Sequence, residues 1–224
     1  MKKVIILVFL CSSTLPPAKG CAMMQTKSGF PKLVQLPPVE QQGRMSVEEA
    51  LARRRSVREF TQEVISQREL SQLLWATQGV THPDGLRTAP SAGALYPLDL
   101  YVATANGFYH YEPKEHRLIR LFDRDPRPAM RRTALDQEAI TQAPVVIVIG
   151  AVYERTARRY GTARTPRYVH MEAGHAAENL LLEAVALGLG GVPIGAFNDD
   201  ALQKVLALQA DCRPLYLIPV GRPR

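Results

Sequence analysis

Residues 144–152 read Pro-Val-Val-Ile-Val-Ile-Gly-Ala-Val, an unbroken apolar run dominated by β-branched side chains. Such side chains are stiff at χ1 and fit the pleated surface of a strand. With no polar residue at alternate positions, neither face of this strand can meet water, so both must be covered. That places it inside a sheet with helices packed on each side. A second segment can supply such cover. From about Arg167 to Leu187, the residues Ala173, Ala176, Ala177, Leu180, Leu181, Ala184, Val185 and Leu187 recur at helical spacing and nearly surround the helix. Only Glu172, Glu178, Asn179 and Glu183 are strongly polar, which marks a buried central helix. Their charges argue against a membrane span.

Other elements follow in order. Ser46 and Glu49 form a capping box for a helix reaching about Arg54, and Ser66 with Glu69 opens another ending at Gln78. Gly79 stands at the C′ position, and Leu70, Leu73, Leu74 and Thr77 make a buried stripe beside Trp75. Residues 79–97 form a long loop, of a length usually tied to function. Strands over 99–104, 108–111 and 116–122 make an antiparallel meander around the Asn106-Gly107 turn. A surface helix is expected over 126–142, a short strand over 192–194, a helix capped by Asp199 or Asp200 and reaching Leu206, and a last strand over 215–220. Residues 79–90 and 153–168 are expected as loops that shape a pocket. The fold class is α+β, without repeats.

At 224 residues the chain can bury one sizeable core. Residues 1–20 have the parts of a secretory signal: Lys2 and Lys3, the apolar run 4–10, and Ala18-Lys19-Gly20 before Cys21. Export is expected, to a periplasmic location or to a membrane held by a lipid on Cys21, with a frayed apolar N-terminal helix on a cytoplasmic protein as the alternative. Residues 21–44, rich in Pro, read as a flexible tether or docking arm, and residues 45–224 as the folded domain. The net charge of +7 suits anionic ligands in general. No RNP-like strand, Cys/His finger or Lys-rich tail is present, so nucleic acid is not an expected partner. His170 and His175 are five apart, off one helical face, and no metal site is expected. His175 reads as a core histidine and Cys212 as a small residue near a strand edge.

Three segments carry chemistry. Arg54-Arg55-Ser56-Val57-Arg58 gathers guanidinium forks and a hydroxyl at one bend, where two side chains can close on one anion. A solvated basic helix end is the alternative. Ser91-Ala92-Gly93-Ala94-Leu95, between Pro90 and Tyr96-Pro97, lets backbone amides approach a flat or anionic ligand, unless it is a plain tight turn. Gly190-Gly191-Val192-Pro193-Ile194-Gly195-Ala196-Phe197 offers small-residue backbone after the buried helix. It follows a helix rather than opening one after a strand, which excludes a Rossmann site.

In this order the segments resemble the nitroreductase superfamily of FMN enzymes. They are most similar to its SagB/ThcOx-type branch, which carries Ser-Ala-Gly-Ala-Leu-Tyr-Pro and Glu-Ala-Gly-His segments like 91–97 and Glu172–His175 here. The resemblance spans about residues 46–223. It implies a mostly antiparallel sheet flanked by helices, in a homodimer with flavin at the interface. It implies that Arg54, Arg55, Ser56, Arg58 and the late Arg222 hold the phosphate and ribityl chain. Ser91, Ala92, Gly93, Ala94 and Leu95 would border the flavin, often that of the partner subunit. Pro193, Ile194, Gly195 and Ala196 would present an amide, near Gly195, to flavin N5, where a donor stabilises the reduced ring.

The activity so implied is ping-pong hydride or electron transfer between small-molecule or peptide substrates, with NAD(P)H as the family's usual donor. Azoline (thiazoline or oxazoline) peptide dehydrogenases of the branch use a Lys-Tyr pair before the central helix. Here Arg159-Tyr160 stands instead, and Arg cannot serve as a base; Tyr160 remains the candidate acid. A flavin-binding protein without turnover is a further alternative.

Overall fold

The computed structural model describes residues 32–224. The expected signal segment, Cys21 and the first part of the expected arm lie outside the described residues. Strands β1 (Leu33–Gln35), β2 (Leu98–Thr104), β3 (Gly107–Glu112), β4 (Arg117–Phe122), β5 (Val145–Val152), β6 (Gly190–Gly191) and β7 (Cys212–Gly221) form one antiparallel sheet in the order β1-β4-β3-β2-β5-β7-β6. Helices are α1 (Val47–Arg53), α2 (Gln67–Gln78), α3 (Arg127–Thr133), α4 (Ala139–Gln142), α5 (Tyr153–Tyr160), α6 (Thr165–Ala186) and α7 (Asp199–Val205).

Every residue of β5 is buried. Val145, Ile147 and Ile149 face one apolar cluster, built with Leu73 and Leu74 of α2 and Leu180 and Leu181 of α6. Val146 and Val148 face the other, with Met130 of α3, Ile140 of α4 and Leu202 of α7. Strand side chains alternate between faces, so one uninterrupted apolar run serves both layers. Each fully buried Leu or Ile adds about 1.5–3 kcal/mol.

Several expectations need correction. The sheet takes in Leu33–Gln35, inside the segment expected as a tether or docking arm, and Leu36 is buried. The docking is polar: the Ser71 hydroxyl donates to the Pro37 carbonyl at 2.6 Å, and His116 Nε2 lies 2.7 Å from that hydroxyl. Residues 126–142 form two short helices broken at Leu135 and Asp136, which take positive φ, and Met130 and Ile140 are wholly buried. Much of the loop expected over 153–168 is α5, whose inward stripe of Tyr153, Thr156, Ala157 and Tyr160 has helical spacing but no large aliphatic residue. Asn198, not an aspartate, caps α7, accepting from the Ala201 amide at 2.9 Å. Cys212 is buried, its thiol pushed up to about 11 by burial, so no thiolate forms there near neutral pH.

Gly79 is needed for space, not for a left-handed cap. Its φ is −65°, and a Cβ there would lie 2.2 Å from Trp75 Cδ1 and 2.7 Å from the Trp75 carbonyl oxygen. Gly79→Ala is expected to cost about 1–3 kcal/mol through overpacking, read as a lowered midpoint in denaturant melts; an unchanged midpoint would contradict this role.

Candidate active site

The first half of the site begins at the end of α1. Arg54 closes that helix, and the chain then runs extended beside β6. The Val57 amide donates to the Gly191 carbonyl at 3.0 Å. A Cβ on Gly190 would lie 2.5 Å from Val57 Cγ2, so glycine is what lets Val57 turn inward. Alternation then turns Ser56 and Arg58 to the opposite side. Arg58 lines a cavity of about 400 Å³ with Gln142, Val192 and Arg224, and Glu59 and Glu138 share its lining. Gln142 Oε1 is buried there without a hydrogen-bond partner among the described residues. Arg58 and Arg224 form no ion pair with a described carboxylate, and Arg54 Nε sits 3.5 Å from Glu178.

Two arginines expected in this cluster are engaged otherwise. Arg55 folds back, its Nη1 donating to the carbonyls of Arg54 at 2.7 Å and Ala52 at 3.2 Å. Arg222 donates to Glu63 and, at 2.8 Å, to Glu69 at the start of α2. These carboxylates satisfy its charge, so Arg222 latches the C-terminal strand to α2 instead of facing an anion. Arg224 was missed: two cations one residue apart after a last strand look alike in sequence, and only the acidic partners at 63 and 69 separate them.

From Gly191 the chain continues to the second feature. Ile194 and Leu217 exchange backbone hydrogen bonds at 2.8 and 2.9 Å, fixing the main chain just before Gly195. Pro193 is half-buried, whereas Gly195 and Ala196 are exposed. The Gly195 amide has no acceptor among the described residues, and a Cβ there would meet nothing within 4 Å. It is a free donor on fixed backbone. Three residues separate it from Gly191, which Val57 grips, a span of at most about 13 Å. The short strand expected over 192–194 is β6 at Gly190–Gly191, with Ile194 as an isolated bridge.

The other half lies around the 91–95 loop. Ser91 Oγ accepts from the Tyr96 amide at 2.9 Å, and Ala92–Ala94 make a 3₁₀ turn in which Gly93 and Ala94 take φ of 62° and 54°. Tyr96 also has positive φ, 46°. Such non-glycine conformations cost of order 1–3 kcal/mol each and persist only where the surroundings enforce them. Here Arg87 stacks on Tyr96 at 4.5 Å and donates to Gln78 at 3.1 Å. Ser91 and Ala92 are partly buried, Gly93 and Ala94 exposed. A Cβ on Gly93 would lie 3.0 Å from both the Tyr160 hydroxyl and Arg159 Nη1. The structure thus joins Tyr160 to the 91–95 segment. No described hydrogen bond joins that half to 54–58 or 193–196 of the same chain.

Glu172 supports the loop from beneath. It is 2% exposed on α6 and accepts from Gln78 Nε2 at 3.4 Å; burial holds its carboxyl above the ordinary range, against the opposing pull of Ser91, Gln78 and Arg87. His175, expected in the core, is exposed one turn further on. A carboxyl so raised binds its proton more tightly in the folded state. Stability is then greatest below the ordinary carboxylate range and falls as pH rises from there through the raised value. Glu172→Gln is expected to flatten that fall and to melt higher than the parent above the window, in thermal melts from about pH 4 to pH 8. Parallel profiles would contradict it.

The sequence and the fold both recur in known proteins. The Nitroreductase family model matches residues 51–222. A protein of Methanocaldococcus jannaschii described as a nitroreductase is 44% identical over 195 residues, covering 84% of this chain and 96% of its own. A crystal structure of a nitroreductase-type protein from Ralstonia eutropha superposes with a TM-score of 0.79 at 30% identity, covering 95% of this chain and 96% of the other. One from Anabaena variabilis gives a TM-score of 0.70 at 31% identity over 80% of this chain, which spans 38% of that longer protein.

Proposed function

The chain belongs to the nitroreductase family, whose members are oxidoreductases, and on that premise we propose that it is an FMN-dependent oxidoreductase. The observation that carries the cofactor is the exposed, unpaired Gly195 amide on backbone pinned at Ile194, one extended stretch from Ser56 and the unpaired Arg58. The donor set fits FMN: the Arg58 and Arg224 guanidinium groups, in no ion pair with a described carboxylate, and Arg54 beside Glu178 for a phosphate, a hydroxyl for the ribityl chain, and a lone amide for a ring nitrogen. When bound, FMN would supply hydride or electron transfer in two half-reactions, reduced by one substrate and reoxidised by another.

The protein's own part is binding and polarisation. Arg54, Ser56, Arg58 and Arg224 would hold the anionic end, and the Gly195 amide would donate to the ring. The small residues Gly93 and Ala94 would let the loop border the ring closely, and the Tyr160 hydroxyl beside Gly93 would be placed to give a proton. Arg159 in place of a basic lysine favours this nitroreductase-type reading over azoline oxidation.

The two halves, unjoined within one chain, fit a homodimer in which one copy's 91–95 loop covers the other's flavin. Exposed Val47 and Leu51 on α1 and Met171 on α6 supply apolar surface for it. Export, with a lipid on Cys21, remains part of the proposal; the mass of the mature N-terminus tests it. Among the described residues no helix is long and apolar enough to cross a membrane.

The function is tested by purifying the protein and mixing it anaerobically with NADPH or NADH. Flavin absorbance that bleaches supports a reductase. A colourless protein that ignores added FMN overturns the reading.

A further inference from the structure

The corner between α5 and α6 carries charge that the fold does not use. Between Tyr153 and Tyr168 stand Arg155, Arg158, Arg159, Arg164 and Arg167 against a single acid, Glu154. Arg155 is satisfied: it grips both Asp99 oxygens at 2.9 Å. Arg158 lies 3.6 Å from Glu154. Arg159, Arg164 and Arg167 are exposed and pair with no described carboxylate. The turn that gathers them is tight, because the Gly161 carbonyl accepts from both the amide and the hydroxyl of Thr165, at 3.3 and 2.8 Å.

Stability does not explain this gathering. Like charges so close repel, and the first turn of α6 holds no acid to offset them. Next to the arginines, Tyr160 and Tyr168 pack with ring centroids 4.7 Å apart, and the Arg159 guanidinium lies 5.7 Å from the Tyr160 ring. Of these groups, Arg159 Nη1 and the Tyr160 hydroxyl lie against Gly93, each 3.0 Å from where its Cβ would stand, at the edge of the proposed flavin face.

Resting on the flavin reading above, we propose that Arg159, Arg164 and Arg167 recognise an anionic group, such as phosphate, carboxylate or sulfonate, on the small molecule that exchanges electrons at this site. Guanidinium forks match such oxygens two at a time, and their uncompensated charge draws the substrate toward the mouth. The tilted tyrosine pair offers aromatic surface for the rest of the molecule.

The test uses the flavin-loaded full chain and its R164Q/R167Q variant; both side chains point away from the buried face of α6. Reduction is followed with NADPH and NADH. Reoxidation of photoreduced protein is followed with a neutral benzoquinone and a sulfonated quinone. The variant is expected to lose about tenfold or more in kcat/KM toward an anionic reactant, mainly through KM, while the neutral quinone reacts as before. In the parent, that preference should collapse at roughly 0.5 M salt, where screening is nearly complete. Loss confined to the nicotinamides assigns the anion to the donor, and loss confined to the sulfonated quinone assigns it to the acceptor; either supports the proposal. Equal loss toward neutral and anionic reactants, or no loss, overturns it. Binding to phosphatidylglycerol vesicles that the variant abolishes, with kinetics unchanged, also overturns it and reassigns the patch to a lipid surface. A colourless protein removes the flavin premise and the proposal with it, whereas a yellow protein that shows no discrimination removes the proposal alone.

Discussion

Replacing Arg54 and Arg58 together with alanine is expected to weaken FMN binding by about a hundredfold or more. Hydrogen bonds to charged groups are worth roughly 1.5–3 kcal/mol each, and every 1.4 kcal/mol is tenfold in affinity. The lower end of that range applies, because Arg58 is exposed and Arg54 has Glu178 at 3.5 Å as a weak alternative partner. Arg222→Ala is the informative contrast. Its guanidinium is taken by Glu63 and Glu69, so its loss should leave FMN affinity near the parent value and instead loosen the C-terminal strand from α2. Fluorescence titration of FMN with thermal melts separates the outcomes. If Arg222→Ala releases flavin while the double variant retains it, the phosphate assignment is wrong.

Gly195→Pro is expected to slow flavin reduction by about 10²–10³-fold, the usual cost of deleting one preorganised donor at a developing charge. Proline removes the amide hydrogen, which no described group uses. The preceding Ile194 is already extended through its pairing with Leu217, the conformation a residue before proline prefers. The fold therefore has little to lose. Gly195→Ala keeps the donor and adds a methyl group into open space, so its rate should stay close to the parent's. Stopped-flow reduction at saturating FMN reads both. Equal rates for Pro and Ala would show that the amide does not act on the ring.

What could be read from sequence divides along physical lines. The both-faces demand of residues 144–152 and the all-round apolar pattern of 167–187 are consequences of burial, and they place β5 and α6 at the centre of the sheet and of one helical layer. Strand β1 escaped because three residues at an edge, with Leu33 and Gln35 outward, leave no period to detect. Helix α5 escaped because its stripe of Tyr153, Thr156, Ala157 and Tyr160 spans only two turns and holds no large aliphatic residue. At the site, glycine spacing marked the backbone at 190–196, and the basic run marked 54–58. Which arginines stay unpaired was not legible, since Glu63 and Glu69 lie far from Arg222 along the chain and meet it only in the fold. Glu172, a lone acid on an apolar helix face, carried a signal that only its burial beneath Ser91 explains.

The central claim is that backbone at Gly195 and arginines at 54 and 58 grip the two ends of one flavin nucleotide. A crystal structure of the protein with FMN tests it most directly. The account predicts the phosphate on the Arg54 and Arg58 guanidinium groups and N5 at about 3 Å from the Gly195 nitrogen. A phosphate seated on Arg222, or a ring lying away from Gly195, would contradict it.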